Sequence, residues 1–239
     1  EIDILQGKLH YKRGEFEAAR ILLENTTRQV PSLADGWIVL SDVYLEMGMI
    51  EKSMETLRTA VIAIPDSDEI NFKLSKLCLD QELFAESLPY IRKANALNPN
   101  QPIYTRYLIR TLQTLGRSDE ADTILNQARM KWTKDQEIAY LDAIRQVEKQ
   151  NRDLALAAFE IAINSNISTV PIERIWVYVQ VLLGDQKDKF LPTDGKYNVI
   201  NNLLISQKYI KHLLEEKHEE SKYIQMLLCE VYYLTGEIE

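Results

Sequence analysis

The sequence predicts an all-α solenoid of antiparallel helix pairs. Three observations carry that expectation. Five columns of residues recur every thirty-four positions, apolar stripes inside each unit follow helical spacing, and turn-forming residues are sparse. The chain of 239 residues holds only 8 Gly and 7 Pro, with 46% hydrophobic and 27% charged residues, the balance of an ordinary folded chain.

The repeat shows first at the turns. Gly14 steps to Gly48, Glu82, Gly116 and Gln150, and five residues on the small column runs Ala19, Ser53, Ser87, Ala121, Ala155. A bulky column follows (Leu23, Leu57, Ile91, Leu125, Phe159), then a second small one (Thr26, Ala60, Ala94, Ala128, Ala162). Pro31, Pro65 and Pro99 close the first three copies, and Thr133 and Ile167 stand in their place in the last two. An uninterrupted register over five copies marks a repeat architecture.

The second copy explains each part physically. Trp37, Leu40, Ser41 and Tyr44 lie at i, i+3, i+4 and i+7, one stripe of a helix. Gly48 ends that helix by tolerating the left-handed conformation of a tight turn. Ser53, Leu57, Ala60 and Ile64 form the stripe of the second helix, its small residues permitting close approach, and Pro65 cannot continue it. Neither helix buries its stripe alone, so the units must stack.

The run Trp37-x2-Leu40, Tyr44, Gly48, Ser53, Leu57, Ala60, Pro65 resembles the tetratricopeptide repeat, with Ser41 at a position where that family usually has glycine. The resemblance implies a right-handed superhelical array of antiparallel helix pairs over residues 1–169. The first copy keeps Gly7, Gly14, Phe16, Ala19 and Pro31 but has Asp3 and Gln6 at apolar columns, as a frayed or shortened repeat would. The third copy has Glu82 at the glycine column, so a slightly different turn is expected. In the fifth, the first helix fits better shifted by one residue, with Tyr140, Ala143, Ile144 and Val147 as its stripe.

After about residue 169 the period lapses. Pro171 opens a predicted helix carrying Ile172, Ile175, Trp176, Val179 and Leu183, which ends at Gly184. A polar loop over 185–195 follows, marked by Pro192 and Asp194-Gly195. A long helix to His218 completes the irregular segment 170–218, with Leu203, Leu204, Leu213 and Leu214 on its stripe. Residues 219–239 read as the first helix of a further repeat, so the array is expected to continue beyond Glu239 and to leave Leu227, Leu228 and Val231 as an edge open to self-association. The chain opens at Glu1 without Met, and any targeting signal is expected upstream of it.

Several function classes lose their basis. A formal net charge of −8 argues against sequence-independent nucleic-acid binding. No apolar run is long enough to insert in a membrane. Cys78 and Cys229 lie far apart among apolar residues and suggest neither a disulfide framework nor a zinc site. His10, His212 and His218 include no pair on one helical face, so no metal ligation is expected. Nucleophile elbows, phosphate loops and dinucleotide fingerprints are missing, and no catalytic residue or cofactor site is assigned. Paired acids such as Glu215-Glu216 fall in a charged helix end. Cysteine usage fits a cytoplasmic protein and fits an envelope compartment as well.

The remaining reading is a binding scaffold. In the resembling family the first helix of each unit lines a concave groove that takes a peptide or helix. The positions carried over are Ile4, Lys8 and Tyr11; Asp35, Ile38, Asp42 and Leu45; Glu69, Phe72, Lys76 and Leu79; Ile103, Arg106, Arg110 and Gln113; and, on the shifted fifth copy, Leu141 and Arg145. One subtype clamps a chaperone's terminal carboxylate, but Ile4, Lys8, Val39, Glu69 and Lys73 at the corresponding positions do not build that clamp. Lys76, Arg106 and Arg110 suit a partner with acidic and apolar residues, which Asp35, Asp42 and Glu46 would repel toward the basic end. The alternative is a substrate-recruiting arm of a larger glycosyltransferase, sulfotransferase or methyltransferase whose catalytic domain lies outside this chain.

Overall fold

The computed structural model describes residues 2–163, together with Val170, Pro171, Arg174, Val177, Tyr178 and Val181. Ten helices lie among the described residues, in five consecutive pairs. They are α1 (Ile2–Lys12) and α2 (Phe16–Gln29), α3 (Ala34–Glu46) and α4 (Ile50–Ala63), α5 (Asp68–Asp80) and α6 (Phe84–Leu97), α7 (Pro102–Thr114) and α8 (Ser118–Lys131), and α9 (Gln136–Glu148) and α10 (Arg152–Ile163). The chain divides into two compact units, Glu1–Ala128 and Arg129–Glu239.

The turns within the pairs are alike in all five copies. Gly14, Gly48 and Gly116 have φ of 75°, 72° and 70°, and Glu82 and Gln150 adopt the same left-handed conformation at 59° and 60°. In each copy the amide after that residue reaches back to the carbonyl five residues earlier: Met49 to Tyr44 at 2.8 Å, Leu83 to Cys78 at 2.8 Å, Asn151 to Gln146 at 2.9 Å. This closing bond satisfies an orphan carbonyl at the helix end. The different turn expected at Glu82 is therefore not seen; the bond outweighs the side chain's steric penalty, and the residue is strained instead.

The first unit has a layered core. Each of α2, α4 and α6 packs on its own partner and on the first helix of the next pair. Leu23, Leu57 and Ile91, the bulky column, are completely buried. The small columns work by contact. Ser41 and Ser53 join hydroxyls at 2.7 Å across α3 and α4, and Ser75 and Ser87 do the same at 2.8 Å across α5 and α6. In the first pair the crossing is tighter: a Cβ on Gly7 would come within 2.6 Å of Leu23 Cδ2.

Starts of the first helices are tied down in related ways. Trp37 Nε1 donates to the Pro31 carbonyl at 2.8 Å, and Asn71, one repeat on, donates from Nδ2 to Pro65 O at 3.2 Å and Ser67 O at 2.7 Å. Ser67 and Asp135 cap α5 and α9 by accepting from Ile70 N and Ile138 N.

In the second unit the register departs from the reading of the sequence. The buried face of α9 is Ile138, Ala139, Leu141, Asp142, Ala143 and Gln146, with Val147 36% exposed. The thirty-four-residue step is thus kept, and the one-residue shift does not occur. Asp142 and Gln146 occupy the columns of Leu40 and Tyr44 because their polar atoms are satisfied internally. Arg129 Nη1 donates to Asp142 Oδ1 at 3.1 Å, Gln146 Nε2 to the same oxygen at 3.0 Å, and Asn151 Nδ2 to Gln146 Oε1 at 3.1 Å.

Beyond α10, Arg174, Val177, Tyr178 and Val181 are helical, and Tyr178 is buried with its ring 5.6 Å from that of Phe159. The expected stripe residues Ile172, Ile175, Trp176, Val179 and Leu183, the loop over 185–195, the helices after it, Cys229, His212, His218 and the edge of Leu227, Leu228 and Val231 lie outside the described residues.

Candidate protein-interaction surface

The first helices of the first unit, α1, α3, α5 and α7, contact one another in sequence and present one face. Two of its acidic members, Asp35 and Asp42, are engaged within the chain. Lys8 Nζ donates to Asp35 Oδ2 at 2.5 Å, and Lys73 pairs with Asp42. The Tyr11 hydroxyl reaches Glu46 Oε1 at 3.5 Å, and partial burial together with Asp42 and Glu46 raises its pKa. These links join neighbouring repeats, so Asp35 and Asp42 have partners before any ligand arrives.

Apolar members of the face also bridge repeats. Ile38 and Leu45 pack, half-buried, against the core layer that includes Ile70, Leu74 and Leu77. The Phe72 ring lies 4.8 Å from that of Tyr104 and 5.0 Å, edge-on, from that of Tyr107. Leu79, Arg106 and Gln113 are half-buried, and Lys76, Arg110 and Ile103 are exposed. Ile4, by contrast, is buried at 5% exposure and offers no surface.

The fifth-copy assignments change with the register. Leu141 is 6% exposed, so its side chain belongs to the core. Arg145 keeps only 17% of its side chain exposed and pairs with Glu148 at 2.8 Å. The positions in step with Asp35, Ile38, Asp42 and Leu45 are Glu137, Tyr140, Ile144 and Val147. Arg174 takes two of these from within the second unit: its Nη2 lies 2.6 Å from Glu137 Oε1 and its guanidinium sits 4.4 Å from the Tyr140 ring centre. The register is not visible in the sequence because two of the buried columns of α9 hold the polar Asp142 and Gln146.

The opposite side of the first unit carries two features that sequence reading missed. Arg58 bridges to Glu86 at 2.6 Å and Arg92 to Glu120 at 2.5 Å, the same ion pair one repeat apart. Between α2, α3 and α4 lies an open cleft of about 460 Å³, floored by Trp37, Leu40 and Tyr44 and walled by Glu24 and Thr27 on one side and Lys52 and Thr56 on the other. The available signal was the small Thr56 in a column that holds Tyr90 and Ile124 in the next two copies.

No group of three or more His, Cys, Asp or Glu able to hold a metal exists among the described residues. None of their helices is long and apolar enough to cross a membrane. Cys78 is buried, and burial pushes its thiol up to about 11, away from nucleophilic use.

Residues 34–66 match the family model of the tetratricopeptide repeat. PilF of Pseudomonas aeruginosa superposes with a TM-score of 0.69 at 13% identity, covering 94% of this chain and 95% of that one. PilW, a type IV pilus biogenesis factor, gives 0.66 at 18% identity over 95% and 97% of the two chains. YrrB, described as having an unusual peptide-binding site, gives 0.57 at 21% identity over 68% and 84%. No curated protein matches the chain in sequence. At these identities the solved structures establish the fold. Residues 34–66 thus carry a tetratricopeptide repeat, and the stacked helix pairs on either side, with their shared left-handed turn, have the fold of a tetratricopeptide-repeat array.

Proposed function

We propose that the first-helix face of the first unit holds an extended segment or helix of a partner rich in acidic and apolar residues. The carrying observation is the joining of charge to aromatic surface: Lys76 and Arg110 are exposed on the face that carries the Phe72–Tyr107 aromatic step. Asp35 and Asp42 on that face are paired with Lys8 and Lys73, so an incoming carboxylate is oriented mainly by attraction to Lys76 and Arg110. Glu69 is exposed on the same face but sits in the first turn of α5, where it complements the helix dipole. Ile38, Leu45 and Phe72 supply half-buried apolar contact, the composition expected of a binding surface. The peptide-binding site named for YrrB supports the capacity of such a fold for peptides.

Selection of random displayed peptides on the full chain tests the proposal. Enriched peptides should alternate acidic and apolar residues and lose at least tenfold in affinity against the Lys76→Glu/Arg110→Glu double variant. Enrichment of basic peptides, or indifference to the double variant, would reject this face.

A further inference from the structure

We propose that the α2–α3–α4 cleft receives an aromatic side chain of a partner polypeptide, as a second contact separate from the first-helix face. The molecule itself shows what fills such a space. One repeat on, the residues in step with Glu24, Tyr44 and Lys52 are Arg58, Cys78 and Glu86. Tyr90, in step with Thr56, stands among them: its ring packs on the core layer that includes Trp37, Leu57, Leu74 and Cys78, and burial first, then the nearby Glu86 carboxylate, raises the pKa of its hydroxyl. Arg58 and Glu86 then bridge at 2.6 Å.

In the preceding repeat the same space stays open for two reasons. Thr56 contributes only a short side chain where Tyr90 supplies a ring. Tyr44 brings its own ring from the floor, but its hydroxyl donates to Glu24 Oε1 at 2.5 Å, which holds the ring down on the α2 side. Glu24 is held in turn by Arg20 Nη1 at 2.7 Å, so it forms no bridge across the cleft like that of Arg58. What remains is an opening of about 460 Å³, within the range of about 300–1,000 Å³ usual for ligand pockets. Its walls carry acid (Glu24, Glu55), base (Arg28, Lys52) and hydroxyls (Thr56, Thr59), and its floor offers the Trp37 and Tyr44 rings. Mixed charge around an aromatic floor favours a ring with a polar edge, as tyrosine has, over an aliphatic or a singly charged group. Buried aromatic anchors of this kind dominate many protein interfaces.

The probe is N-acetyl-L-tyrosinamide, titrated into the isotope-labelled full chain and followed by nuclear magnetic resonance. Saturable shifts are expected at the Trp37 indole N–H and the Thr56 and Thr59 amides, with N-acetyl-L-leucinamide weaker. Thr56→Tyr, which copies the next repeat, should weaken the apparent affinity at least tenfold, while Thr56→Ala keeps it. Lys52→Trp covers the same opening from the exposed rim and should give the same loss, so misfolding of the first variant does not leave the question open. Absence of saturable shifts, or shifts that survive both filling variants, overturns the proposal. Neither outcome bears on the first-helix face, whose test uses Lys76 and Arg110.

Discussion

At the residue scale, the left-handed turn column is the clearest case of structure overriding side-chain identity. An L-residue in that conformation costs about 1–2 kcal/mol, yet Glu82 and Gln150 adopt it with the same closing hydrogen bond as the glycines. Replacing either by glycine should stabilise its unit by about 1 kcal/mol, after allowance for glycine's looser unfolded chain. Denaturant melts check this; a loss in both variants would mean the turn is not strained. Two phenols set a pH limit. Burial first, then the hydrogen bond to Glu24, pushes Tyr44 up to about 12 from its ordinary 10, and burial with Asp68 does the same for Tyr104. Each folded value lies above the unfolded one, so the associated stability is intact below pH 10 and disappears as pH rises toward 12. Tyr44→Phe and Tyr104→Phe should flatten that alkaline decline in melts recorded across the same window.

At the scale of the helix, α9 shows how far polarity can mislead. The stripe Tyr140, Ala143, Ile144 and Val147 predicts a surface at Leu141 and Arg145, whereas the structure buries the polar Asp142 and Gln146 in its place. The structure buries Asp142 at 4% exposure, with Arg129, Gln146 and Asn151 completing its network. Such a group is tolerated only when satisfied, and no single-residue pattern reports its partners. Asp142→Ala, which strands Gln146 and Arg129, should cost about 1–3 kcal/mol. The Asp142→Leu/Gln146→Leu pair, restoring an apolar column, should cost less. In the first unit Leu57→Ala should cost about 2–5 kcal/mol, and Leu45→Ala, half-buried against the next repeat, about 1–2 kcal/mol. Equal losses at the two sites in denaturant melts would show that the faces of α3 and α4 are wrongly assigned.

At the scale of the whole molecule, pairing between repeats engages part of the charge on the first-helix face. Lys8 with Asp35 and Lys73 with Asp42 stitch successive first helices together, and such partly exposed pairs add little stability. Their larger consequence is for recognition, because they engage two of the three acids, Asp35 and Asp42, of the acidic end that the linear sequence suggests, and leave Glu46 exposed. Binding of a selected acidic peptide should therefore weaken as salt rises, and Lys76→Glu/Arg110→Glu should remove most of that dependence with little change in melting. Affinities at low and moderate salt make the comparison. A salt dependence retained in the double variant would place the attracting charge elsewhere.

The repeat length, the helix pairing and the core columns were determined by the sequence alone, because each is local: a periodic stripe, a turn residue and a helix-breaking proline act within one unit. Among the described helices, register by polarity failed at α9, where Arg129 of α8 and Asn151 of the following turn complete the network. Tertiary structure alone decided three things. It closed the Glu82 and Gln150 turns in the glycine conformation through a backbone bond. It neutralised Asp35 and Asp42 with lysines from neighbouring repeats. It also left a cleft at Thr56 where Tyr90 fills the next one. The lysine pairs and the cleft depend on contacts between residues distant in sequence, and thus on how the repeats stack, whereas the turns depend on backbone geometry that side-chain identity does not report.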